Sequence, residues 1–198
     1  MSRAIDCVTD LTPHAHVLPG ALIHTVMRYV GHPGNAYNLT APEVKALHAH
    51  GIGIGFVYEA EASWMKGGYM AGIRAASAAR DHLRVLGAPK HPFVYFAADW
   101  DVLPGEVDVV LKCLLGAGSV IGTNRVGIYG GHRIVTRALA AGAAARAWQA
   151  LGWSYGKRNS AAVLHQTSIA PAQPWGDLGF PYDADSQRAQ NIGQWSKP

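Results

Sequence analysis

Asp99-Trp100-Asp101 closes a nearly continuous apolar run, Pro92-Phe93-Val94-Tyr95-Phe96-Ala97-Ala98. A continuous run of β-formers is what a strand buried on both faces of a parallel sheet requires. Side chains alternate along a strand, so Asp99 and Asp101 are expected on one face with Phe93, Tyr95 and Ala97, and Trp100 on the other. At a rise of about 3.3 Å per residue the two carboxylates would stand roughly 6 to 7 Å apart. Two negative charges at that separation in a partly desolvated mouth split their pKa values, leaving one acid and one base. Cleavage of a glycosidic bond needs such a pair: a protonated carboxyl for the leaving oxygen and an ionised one as base, nucleophile or electrostatic stabiliser. The alternative uses of the pair are capping the next helix and holding a cation.

Polar residues recur at other strand ends. Asp6 follows Ala4-Ile5, Arg28 and Tyr29 follow Val26-Met27, Glu59 follows Val57-Tyr58, Gln166 follows Val163-Leu164-His165, and Asp183 follows Pro181-Tyr182. One strand-terminal Asp is commonly a helix cap, but a set converging on one barrel face is a site. The sequence has six tryptophans. Tyr129, Tyr155, Trp148 and Trp153 offer faces on which sugar rings stack, and the same rings could serve core packing.

Other chemistries lack their signatures. The ten histidines include His14/His16 and His48/His50, spaced two apart and not as a paired helical ligand set, so no metal is expected. No phosphate-binding loop, dinucleotide fingerprint or nucleophile elbow is present, and no cofactor is expected. Cys7 and Cys113 read as buried free thiols, with a disulfide left open.

The elements that must position the acids follow a strand-helix rhythm, the pattern of a parallel sheet covered by helices. Thr40, Pro42 and Glu43 make a capping-box start for a helix that Gly51 ends. Strands are predicted at 52–59, 92–101 and 126–129, and helices at 69–86, 105–115 and 134–141. Further strands at 4–7, 23–29, 145–150 and 161–166 bring the tally close to eight. The predicted fold is α/β, a small irregular TIM-like (β/α) barrel. With 198 residues some helices must be short or missing.

Of these residues 49% are hydrophobic and 15% charged, which suits one domain over 1–198. The formal charge of +4 comes from scattered basic residues without a nucleic-acid motif, so no nucleic-acid partner is expected. No apolar run is long enough to span a membrane. The start lacks a basic segment followed by an apolar block, so no signal peptide is expected, and neither is an oligomer.

Taken together, these segments resemble the bacterial and phage glycoside-hydrolase-like family catalogued as domain of unknown function 1906, related to the family 25 lysozymes. The resemblance covers nearly the whole chain. It rests on Ile5-Asp6, Met27-Arg28-Tyr29, Leu39-Thr40-Ala41-Pro42-Glu43-Val44 and Val94 through Asp101, then on Val126-Gly127-Ile128-Tyr129-Gly130, Ala147-Trp148-Gln149, Leu164-His165-Gln166 and Tyr182-Asp183-Ala184-Asp185. It implies a muramidase-type peptidoglycan hydrolase of endolysin kind. Asp101 would be the acid, Asp99 and Asp6 its supporting carboxylates. Asp183, Glu59, Arg28, Tyr129, Trp148 and Gln166 would bind substrate. Where the lysozymes have Asp-x-Glu this chain has Asp99-Trp100-Asp101, one methylene shorter. Two rivals stay open: a glycan-binding domain without turnover, and a glycosidase for another wall polysaccharide. The implied location is synthesis in the cytoplasm and action on the cell wall, through holin release or another route.

Overall fold

Ser2–Asp6 forms the first strand, β1, of a closed eight-stranded barrel whose strands neighbour one another in chain order. The computed structural model describes residues 2–196. After β1 come β2 (Ile23–Tyr29), α1 (Ala41–Ala49), β3 (Gly53–Tyr58), α2 (Gly68–Val85), β4 (Val94–Ala97) and α3 (Val107–Ile121). The rest is β5 (Val126–Gly130), α4 (His132–Ala140), β6 (Arg146–Gln149), β7 (Leu164–Ser168) and β8 (Asp183–Gln187). The expected α/β barrel with missing helices is found. Loops, not helices, follow β1, β6 and β7 apart from one short 3-10 turn at Ala15–Val17.

Strands β1 to β7 run parallel, whereas β8 is antiparallel to both of its neighbours. This reversal decides where Asp183 lies. Asp183 begins a strand, where the sequence pattern placed it at the end of one. Antiparallel pairing sets it directly across from Asp6, the last residue of β1. The start of β8 thereby joins the C-terminal ends of the other strands at one mouth.

Alternation along each strand separates two apolar layers. Ala4, Met27, Val57, Tyr95, Ala97 and Leu164 fill the barrel interior. Ile5, Val26, Phe56, Phe96 and Ile128 face outward against the helices. The interior is closed below by the C-terminal segment, where Trp195 pairs with Ile54 and Ile192 takes the Tyr95 hydroxyl at 2.8 Å.

Thr40 caps α1 by accepting from the Glu43 N–H at 3.3 Å. Glu43 does not return the contact as a capping box would. Its carboxylate instead turns inward to accept from the Leu11 N–H at 3.0 Å and to pair with Arg28.

Helices α2 and α3 cross with almost no side chain between them. A Cβ on Gly72 would stand 1.8 Å from the Cys113 carbonyl oxygen, and one on Gly116 would stand 2.0 Å from that of Tyr69. Gly72→Ala should therefore destabilise. Alanine favours a helix over glycine by about 1 kcal/mol, but forcing two backbones apart costs about 3 kcal/mol. A net loss near 2 kcal/mol by urea unfolding is the expected result, and a gain would show that the crossing is loose.

Candidate active site

The mouth holds a partly open cavity of about 170 Å³. Each inward-facing strand end contributes to it: Asp6 from β1, Tyr29 from β2, Val57 from β3 with Glu59 just beyond it, and Asp99 beyond β4. Tyr129 from β5, Trp148 from β6, Gln166 from β7 and Asp183 from β8 close the ring. Seven residues predicted from sequence meet here: Asp6, Glu59, Asp99, Tyr129, Trp148, Gln166 and Asp183.

Two predicted site residues are elsewhere, each for a local reason. Strand β4 stops at Ala97, so the alternation that was to bring Asp101 beside Asp99 ends before either residue. Asp101 turns away from the cavity and is held by Arg133 Nη1 at 3.3 Å and by the Tyr155 hydroxyl. Arg28 lies between the inward-facing Met27 and Tyr29 and so points out of the barrel. There it is 1% exposed and pairs through Nε with Glu43 Oε1 at 2.7 Å. It also donates to the carbonyl oxygens of Cys7 and Tyr37. Arg28 ties β2 to α1 and the β1–β2 loop and does not touch the cavity.

Burial raises the pKa of every carboxylate in the ring. For Glu59 burial is the largest cause and Asp99 adds to it, which lifts the side chain to about 7. Asp99 is raised by burial and then by Asp183. Asp183 is raised by burial, opposed by the Ala170 N–H that donates to Oδ1 at 2.7 Å. Gln166 Nε2 donates to the other oxygen of Asp183 at 2.9 Å, while Gln166 Oε1 accepts from the Leu151 N–H at 3.2 Å. The contacts of Gln166 leave one orientation of its amide, which holds Asp183 in place. Tyr29 and Tyr129 are pushed above their ordinary phenol values, mainly by burial, so both present O–H donors at neutral pH.

Asp185 lies beneath the ring, fully buried, and accepts from Trp148 Nε1 at 2.7 Å. Its Oδ2 and the Oδ2 of Asp6 are both sealed from solvent without a donor. A proton held between the two carboxyls supplies that donor. Both are raised, by burial first: Asp6 well above the ordinary carboxylate range, with Asp185 adding to the shift, and Asp185 to about 7. A linkage follows. Unfolded aspartates ionise near about pH 4, whereas the native pair keeps its proton to higher pH, so the native state binds more protons and stability falls as pH rises from about 4 through 7. Asp185→Asn should flatten this decline and raise the melting temperature at pH 8. A parallel downward shift at every pH would count against proton sharing.

Val57 and Asp185 were not among the predicted site residues, and Tyr29 was named only as a polar strand end beside Arg28. The period of two in Met27-Arg28-Tyr29 and in Asp183-Ala184-Asp185 carries the signal for Tyr29 and Asp185, once the inward register is known.

Residues 18–187 match the family described as Rv2525c-like, glycoside hydrolase-like domain. The chain belongs to this family. Its structure is similar to that of the Mycobacterium tuberculosis Tat-secreted protein Rv2525c in complex with L-tartrate, at 24% identity and a TM-score of 0.86 over 98% of each chain. It is also similar to the modular autolysin LytC of Streptococcus pneumoniae in complex with synthetic peptidoglycan ligand, at 12% identity and a TM-score of 0.63. That match covers 93% of this chain and 46% of LytC. A third similar structure is GHIP, a glycosyl hydrolase 25 of S. pneumoniae, at 13% identity and a TM-score of 0.64, covering 94% and 86% of the two chains. These likenesses establish the fold shared with the family 25 proteins. No curated protein matches the sequence. The expectation of a protein without a signal peptide, reaching the wall through holin release or another route, is corrected by this comparison: the similar protein Rv2525c is Tat-secreted.

Proposed function

We propose that this Rv2525c-like barrel hydrolyses a glycosidic bond of peptidoglycan, with Glu59 as proton donor and Asp99 as its ionised partner. The observation that carries the reading is the meeting of these two carboxylates, from neighbouring strand ends, in one cavity lined by Tyr29 and Tyr129. Aspartate is the more acidic side chain and ionises first, and its charge then holds the proton on Glu59 near neutral pH. Glu59 gives that proton to the leaving oxygen, while Asp99 stabilises positive charge at the sugar or activates its attacker. Asp183, fixed by Gln166 and Ala170, and the shared proton of Asp6 and Asp185 set the field around them. The peptidoglycan ligand of LytC, on the same fold, supports the substrate class.

The non-catalytic glycan-binding reading has one observation in its favour. Asp101, to which the lysozyme resemblance gives the role of acid, is engaged by Arg133 and Tyr155 outside the cavity. Release of reducing ends from purified peptidoglycan, with mass spectrometry of the new terminus, decides between them. A muramic acid terminus is the expected product. Wall pelleting without any new reducing end would leave a binding domain.

A further inference from the structure

The cleft continues beyond the carboxylates. Gln166 also borders a cavity of about 380 Å³ that reaches Ser154 and Lys157, and these two residues border a third cavity of about 260 Å³. The third is formed by the start of α4 and the β6–β7 loop, both at the barrel mouth. Ser154 joins the two elements: its hydroxyl accepts from the His132 N–H at 3.1 Å and donates to the Ala150 carbonyl at 2.7 Å.

Arg133 and Arg137, one helical turn apart on α4, and Lys157 from the loop all border this cavity. Asp101 pairs with Arg133. Among the described residues no carboxylate lies within ion-pair distance of Arg137 or Lys157. The first turn of α4 carries no acidic residue, so the positive end of the helix adds to the same field. Beside these cations Trp153 and Tyr155 hold φ at 57° and 50°, a left-handed backbone that is costly for bulky residues and persists where the surroundings impose it. Tyr155 is 72% exposed. Its ring therefore does little for packing, and its hydroxyl is fixed by Asp101.

We propose that this cavity is an anion-binding subsite of the cleft, taking a carboxylate or phosphate substituent of the bound polysaccharide between Arg137 and Lys157, with Tyr155 against the sugar. Asp101 is then a positioning residue that orients Arg133 and Tyr155. The proposal rests on the glycan-cleft reading and goes beyond it by stating the charge of the substrate. Charge-assisted contacts to an oxyanion are short and strong, and salt screens them at an exposed site.

The test is calorimetric titration with three ligands: peptide-free glycan strands bearing lactyl carboxylates, the same strands with the carboxyls reduced to alcohols, and 6-phosphorylated chitooligosaccharide. Wild type should bind one anionic ligand about tenfold more tightly than the reduced strand at low salt, as expected for charge-assisted contacts. Which of the two binds identifies carboxylate or phosphate. The ratio should fall towards one in 0.5 M salt and in R137Q/K157Q, whose exposed sites leave the melting temperature in place. Equal binding of anionic and reduced strands by wild type overturns the subsite while glycan binding stands. Binding of none overturns both the subsite and the cleft reading.

Discussion

Glu59→Gln is expected to lower the rate of reducing-end release by about 10³-fold, within the range that a positioned general acid contributes. The glutamine keeps the size and hydrogen-bonding reach of the side chain but has no proton to give. Because Glu59 sits at about 7, wild-type activity should fall as pH rises through that value, and this limb should be missing from the residual activity of the variant. Binding of the glycan should survive, since the substitution removes a proton and not a contact surface. Asp101→Asn provides the comparison. Its carboxylate lies outside the cavity, so the expected loss is under about tenfold, far below that of a general acid. A large loss in Asp101→Asn with full activity in Glu59→Gln would return the acid to the position that the lysozyme resemblance implies.

Arg28→Ala is expected to destabilise the fold by about 3 to 5 kcal/mol, the cost of leaving one member of a buried ion pair without its partner. Glu43 is fully buried, and burial already pushes its pKa up while Arg28 pulls it down. Without the guanidinium, Glu43 would have to take up a proton or draw in water. The carbonyls of Cys7 and Tyr37 would also lose a donor. Replacing both partners by apolar residues of similar volume, as in R28M/E43L, should recover most of the loss, because no charge is then left buried. Urea unfolding of the three proteins checks this. Unchanged stability in Arg28→Ala with weakened glycan binding would restore Arg28 to the substrate site.

The expectations for Asp101 and Arg28 come from positions where neighbouring residues had to be told apart. In Met27-Arg28-Tyr29 the sequence marks a strand with a cation in it, but only the register with β1 and β3 shows that the even-numbered residue faces the helix. In Asp99-Trp100-Asp101 the pattern extends the strand to the second aspartate. Its backbone leaves the sheet after Ala97, because the chain must turn towards α3, and from there alternation predicts nothing.

The order of elements, the barrel and most of its acidic mouth were legible from local information. Apolar runs bounded by turn residues mark strands, and period 3.6 with a capping threonine marks helices, since both patterns arise within a few residues. Polar residues at the strand ends could be read as a convergent site because parallel strands feeding crossover helices bring those ends to one face. The reversal of β8, the inward turn of Glu43 and the joining of Asp6 to Asp185 depend on residues far apart in the chain, and no local pattern encodes them. The same holds for the proton on Glu59. A carboxyl becomes an acid at neutral pH through burial and a neighbouring charge, and both exist only when β3 and β4 lie side by side.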